Sequence, residues 1–169
     1  LGVIYVPVSK ELYIADVKKG LAAKVTLNEH KIDLSDVNFE KARISPAILN
    51  EKEIRVVGGR SHMNVDTENF VESLKKPGVH VDIVSKGSSL KFCLVAEGKA
   101  DVYPRLGLTS EWDTAAAQAV VEAAGGRITR TDMEPLRYNT KESLLNPFFF
   151  VFGDLSVDWY SYLAVESGG

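Results

Sequence analysis

Several residues in this chain are of types, and at spacings, that can do chemistry. Asp113 stands directly before an alanine-rich stretch running from Thr114 to Ala124. An aspartate there ordinarily caps the helix, accepting from free N–H groups of the first turn. The same position, at the positive end of a helix dipole, also keeps a carboxylate ionised, and ionised oxygen is the ligand that Mg2+ takes. Spacing alone favours the cap. Ser88, Lys91 and Arg105 form a second set. Gly87-Ser88-Ser89 opens a predicted helix, where unpaired N–H groups and hydroxyls can grip a phosphate. Lys91 lies one turn in, on a similar face to Ser88, and Arg105 follows a predicted strand, at the edge where α/β sheets bind ligands. The plain alternative is a serine cap with two solvated cations, and spacing alone favours that too. His62, in Arg60-Ser61-His62, follows a strand and a glycine pair, where histidines are mostly solvated or turn residues. Arg55, Lys86, Lys99 and Arg130 read as surface charge.

The elements that must position these groups fall into two halves. Val3 to Val6, Leu12 to Ile14 and Ala22 to Leu27 are short apolar runs with turns at Ser9-Lys10 and Lys18-Lys19-Gly20. Such punctuation predicts an antiparallel meander. Residues 28–53 are polar and aperiodic, a connecting loop in which Pro46 restricts its predecessor. From Ile54 the pattern changes. Strands are predicted at Ile54–Val57, Val79–Val84, Ala100–Tyr103, Arg127–Thr129 and Phe148–Phe152. Helices are predicted at Val65–Lys76, Ser88–Gly98 and Asp113–Ala124, the last stopped by Gly125-Gly126. Alternation of strand and helix predicts an α/β layered sheet. The division expected is a meander with its loop over 1–50, an α/β domain over 51–156, and a tail over 157–169. That tail, with Trp159, Tyr160 and Tyr162, is either a final helix or mobile.

Composition narrows the partners. The chain has 169 residues, 45% hydrophobic and 25% charged, with a net charge of −3. That length buries a real core. The absence of a basic stripe argues against a nucleic-acid polymer, though not against a small phosphorylated ligand. Cys93 is the sole cysteine, so no internal disulfide forms, which suits a reducing compartment. Between Phe92 and Leu94 it reads as a small buried hydrophobe, with nothing nearby to lower its pKa. No stretch approaches a membrane span or reads as a signal peptide. The opening Leu-Gly-Val-Ile-Tyr-Val-Pro-Val already reads as a strand, which predicts a chain beginning inside a sheet.

Together these segments resemble one family. Gly87-Ser88-Ser89-Leu90-Lys91-Phe92-Cys93-Leu94-Val95-Ala96-Glu97-Gly98-Lys99-Ala100-Asp101-Val102-Tyr103-Pro104-Arg105 is similar to the 3'(2'),5'-bisphosphate nucleotidases of the bacterial CysQ branch. Glu111-Trp112-Asp113-Thr114-Ala115-Ala116, running on to Gly125-Gly126, resembles the second signature of the wider inositol monophosphatase superfamily. Glu142-Ser143-Leu144-Leu145-Asn146-Pro147 again resembles the CysQ branch. Any one phrase is weak; three in order across residues 1–152 are specific.

The resemblance implies an inositol monophosphatase-like layered fold, α/β in its second half and α+β overall. It implies that Asp113 ligates a catalytic Mg2+, and that Ser88, Lys91 and Arg105 contact the nucleotide and its 5'-phosphate. It places His62, on a looser match, against the base. The implied reaction is Mg2+-dependent hydrolysis of 3'-phosphoadenosine 5'-phosphate to AMP and phosphate, in sulfur assimilation or nucleotide recycling. The implied site is the cytoplasm, with the cytoplasmic face of the inner membrane as the alternative. Ala117 departs from the family's usual glycine. More seriously, the family's Asp-Pro-Ile/Leu-Asp-Gly-Thr signature and an upstream glutamate do not occur here. The family pattern places that signature just before a strand like Leu1 to Val8. The chain is therefore expected to be a C-terminal part, nearly inactive alone and prone to form oligomers through exposed sheet edges. An inositol monophosphatase and a non-catalytic nucleotide-binding module are the rival expectations.

Overall fold

A computed structural model describes residues 1–28, 33–59 and 63–163. The first three strands are β1 (Gly2–Val6), β2 (Glu11–Asp16) and β3 (Leu21–Thr26). They form an antiparallel sheet in the order β1-β2-β3. The following loop is largely irregular, as predicted, but it does not drift free. Ala42 and Ile44 bond Lys24 and Ala22 of β3, so the segment lies along that sheet edge.

The second half builds β4 (Glu53–Val57), α1 (Val65–Leu74), β5 (His80–Val84), α2 (Leu90–Ala96) and β6 (Val102–Arg105). It continues with α3 (Glu111–Ala124), β7 (Arg127–Arg130), β8 (Phe149–Phe152) and α4 (Trp159–Leu163). The five strands make one mixed sheet, β5-β4-β6-β8-β7. β4 runs parallel to both β5 and β6, while β8 is antiparallel to β6 and β7. At the chain's end the helical alternative holds for α4, whose Trp159 is buried.

Four layers result. α2 and α3 are sandwiched between the two sheets, and one cluster joins Tyr13, Ala15 and Ala22 to Phe92, Val95, Val120, Val121, Ile128 and Phe149. α1 and α4 cover the far face of the larger sheet, around Phe70, Leu74, Phe150, Phe152 and Trp159. α3 is the central strut. Val120 and Val121 are fully buried, and each contributes about 1.5–3 kcal/mol of hydrophobic stabilisation. Its alanines let β1 come close: a Cβ on Gly2 would sit 2.5 Å from the Ala116 carbonyl oxygen and 2.7 Å from the Ala119 Cβ. Ala117 is buried within the same helix. Gly125 ends it in the left-handed region at φ 112°.

Two expectations need correction. Asp113 is not the cap of α3. The helix begins two residues earlier, Ser110 caps it, and Asp113 lies in the first turn with its Oδ2 accepting from Ser110 N–H at 2.8 Å. A serine followed three residues later by an acidic residue satisfies two orphan groups reciprocally, which moves the start of the helix forward. Nor is Arg55 a surface charge. Its guanidinium donates to both oxygens of the buried Asp101, at 2.8 and 3.1 Å, and to the Gly98 carbonyl at 2.9 Å. The Arg55 N–H adds a fourth bond, to Asp101 Oδ2. Asp101 lies 46 residues away in sequence, so no local pattern announces the pair.

Candidate functional site

β4 and β6 are parallel neighbours whose following helices go to opposite faces: α1 packs in the outer cluster, α3 in the inner one. A crevice opens where such connections diverge, beyond the C-terminal ends of the strands. Val57-Gly58-Gly59 ends β4 there, and Tyr103-Pro104-Arg105 ends β6. Together with Asn64, Thr67 and Lys91 they line a cleft of about 230 Å³.

A second cleft, of about 310 Å³, abuts the first along Lys91, Tyr103 and Arg105. Ser88, Leu108, Thr109, Asp113 and Thr114 are among its other walls. The structure thus brings Ser88, Lys91, Arg105 and Asp113 to one cavity from three different elements. His62 lies outside the described residues; Gly59 and Met63, which flank residues 60–62, line the smaller cleft.

Ser88 sits before α2 in the left-handed region, at φ 50°. That turn places Lys91 in the first turn of α2, with Lys91 N–H donating to Ser88 O at 3.3 Å. The Lys91 ammonium lies 5.7 Å above the Tyr103 ring, itself packed edge-on against Phe92 and Phe149. Burial lowers the pKa of Lys91 from the ordinary lysine value, and the neighbouring Arg105 charge lowers it further. Burial also raises the Tyr103 phenol, keeping it neutral. Arg105 donates through Nη2 to Leu108 O at 2.8 Å, while its buried Nε has no partner among the described residues. Two cations on the wall of one cavity, one of them with an unused donor, form an electrostatic arrangement that an anion relieves.

Asp113 is the carboxylate of this cavity. One oxygen accepts from Ser110 N–H; the other has no hydrogen-bond partner among the described residues. That leaves one oxygen for a cation. No group of three or more His, Cys, Asp or Glu side chains that could hold a metal occurs among the described residues. They fit one corner of a magnesium site and not the whole, since Mg2+ requires near-octahedral oxygen coordination. Cys93 is buried and burial pushes its thiol up to about 12, so it carries no thiolate at neutral pH.

Tyr103, Thr109 and Thr114 also line the cavity, and the sequence alone does not mark them as candidates. A tyrosine inside a strand and threonines flanking a helix start have ordinary structural uses, and nothing local marked them.

Comparison with known proteins settles the family. Residues 1–149 match the inositol monophosphatase family. The chain belongs to that family. It is 41% identical over 151 residues to the 3'(2'),5'-bisphosphate nucleotidase CysQ of Shigella flexneri, covering 89% of this chain and 54% of that protein. Among solved structures it resembles CysQ from Bacteroides thetaiotaomicron, at 44% identity and a TM-score of 0.76, over 89% of this chain and 56% of the other. An inositol monophosphatase from Zymomonas mobilis shares the fold at 16% identity and a TM-score of 0.66, over 95% and 55% of the two chains. This inositol monophosphatase-family chain spans about half the length of the curated relatives it matches. No helix among its described residues is long and apolar enough to cross a membrane.

Proposed function

We propose that this chain belongs to a Mg2+-dependent 3'(2'),5'-bisphosphate nucleotidase that releases phosphate from 3'-phosphoadenosine 5'-phosphate. The observation that carries it is the convergence of Lys91, Arg105 and Ser88 on the cavity that holds Asp113. A bisphosphate has one phosphate to lose and one to be recognised by. Two half-buried cations suit the retained phosphate, and a carboxylate with a free oxygen suits the metal side of the phosphate that leaves. The similarity to CysQ proteins supports the same substrate class.

In this proposal the ammonium of Lys91 and the guanidinium of Arg105 bind and orient the spectator phosphate. Tyr103 supplies a neutral, apolar floor beneath Lys91 and excludes water from it. Asp113 gives one oxygen to a divalent cation; when bound with its other ligands, that cation supplies charge neutralisation and activation of water. Since the described residues supply one carboxylate, the chain alone is expected to be inactive or nearly so.

The test is phosphate release from 3'-phosphoadenosine 5'-phosphate, with and without Mg2+, by the full-length protein, by this chain, and by full-length Asp113→Asn. Partners of metal ligands already matter 10–100-fold, so loss of a ligand is expected to cost more than about 100-fold. Turnover by this chain alone would overturn its expected inactivity, and turnover by Asp113→Asn at the parental rate would remove Asp113 from the proposed role. Turnover of inositol phosphate but not of the bisphosphate would move the assignment elsewhere within the family.

A further inference from the structure

We propose that Asn146 is a positioning residue for the Asp113 carboxylate, acting through the cap of α3. The inference rests on the functional reading of Asp113 given above. Asn146 is 4% exposed and lies in the segment between β7 and β8, 36 residues beyond the Ser110 that it touches. Its Nδ2 lies 2.9 Å from Ser110 O, 3.1 Å from Thr109 Oγ1 and 3.0 Å from Thr114 Oγ1. These three residues bracket Asp113 on both sides. Two amide hydrogens serve three acceptors, so one is shared. Ser110 O accepts only, which requires the amide nitrogen, and not its oxygen, to face the cap.

The consequence reaches the carboxylate in one step. Ser110 N–H is the donor that holds Asp113 Oδ2, and the Asn146 side chain holds the carbonyl of the same residue. Thr114 Oγ1 in turn donates to Glu111 O at 3.2 Å, tying the same amide to the first turn. Further bonds hold Asn146 itself. Its N–H donates to Thr109 O, Ser110 bridges Leu145, and Glu111 N–H donates to Leu144 O. Lys141 and Asn139 N–H both meet the buried Glu111 carboxylate. Asn146 Oδ1 is buried without a partner among the described residues. An amide kept only to fill space would leave both its ends in that state, whereas here the nitrogen alone is fully engaged, and wholly with the cap.

The experiment compares full-length wild type with Asn146→Ala and Thr109→Val, by two measurements. The first is hydrogen exchange of the Ser110 amide, resolved by NMR without substrate or metal. Exchange is expected to quicken about tenfold in Asn146→Ala and about threefold in Thr109→Val, while amides at Ala119 to Ala124 keep their rates. The second is bisphosphate hydrolysis. A fall in kcat of about tenfold with KM for the nucleotide within twofold is expected for Asn146→Ala, and a smaller fall for Thr109→Val. Thr109→Val leaves two of the three bonds in place, so it answers the question if Asn146→Ala does not fold. Unchanged Ser110 exchange in the folded variants, or a change in KM with kcat intact, would overturn the positioning role. If the wild type does not hydrolyse the bisphosphate while Ser110 exchange still responds, the substrate reading fails and the link from Asn146 to Asp113 stands.

Discussion

Lys91 and Arg105 show how folding turns two ordinary cations into a candidate site. In sequence they are fourteen residues apart, on a helix and at a strand end, and nothing in their spacing distinguishes them from solvated charge. Folding puts both on the wall of one cavity with Asp113 and Ser88. Burial and the Arg105 charge lower the pKa of Lys91, which sets a pH dependence. In the proposed role the protonated amine holds the anion, so affinity for the bisphosphate should fall as pH rises, starting below the ordinary lysine value of 10.5. A bound dianion reverses the repulsion and raises the pKa again. Binding on the alkaline side should therefore take up a proton, which calorimetry in buffers of different ionisation enthalpy would detect. Proton release, or none, would contradict it. The candidate residues were legible through motif resemblance. Tyr103 beneath Lys91 and Asn146 behind Asp113 were not, since each acts through a contact made only in the fold.

At the scale of elements, nearly every strand and helix lies where apolar runs and glycine stops predict it. The exception of consequence is the start of α3. Ser110 and Asp113 carry the serine-to-acid spacing of a capping box, a signal present in the sequence but obscured by the stronger alanine run behind it. The exit from the same helix depends on close approach. A Cβ on Gly126 would lie 2.6 Å from Phe152 O and 3.0 Å from Val121 Cγ1. Gly126→Ala should therefore lower stability by about 1–3 kcal/mol through overpacking between α3 and β8. Urea unfolding measures this; an unchanged midpoint would mean the backbone shifts freely there.

At the scale of the whole molecule, the two sheets are held to one set of central helices, and the larger sheet is pinned across β4 and β6 by Arg55 and Asp101. A pair so distant in sequence leaves no periodic trace, which is why the arginine reads as surface charge from sequence. Removing it would leave a buried carboxylate with the N–H of residue 55 as its one remaining donor among the described residues. Arg55→Ala is expected to cost about 3 kcal/mol, the low end for breaking a buried pair, because 28% of the arginine side chain still meets solvent. Urea unfolding again measures it; a loss below about 1 kcal/mol would show that water repairs the gap. The mixed sheet, with its divergent connections at β4 and β6, explains why the candidate residues gather where they do, a property of topology that no single segment contains.

In the proposed function this cavity recognises the phosphate that is not cleaved. The most direct measurement is the ratio of kcat/KM for 3'-phosphoadenosine 5'-phosphate to that for adenosine 3'-monophosphate, in the full-length protein and its Lys91→Ala and Arg105→Ala variants. A hydrogen bond to a charged group contributes about 1.5–3 kcal/mol, so a preference for the bisphosphate of at least about tenfold is expected, falling towards one in either variant. A wild-type ratio near one, or a ratio that both variants leave unchanged, would contradict it.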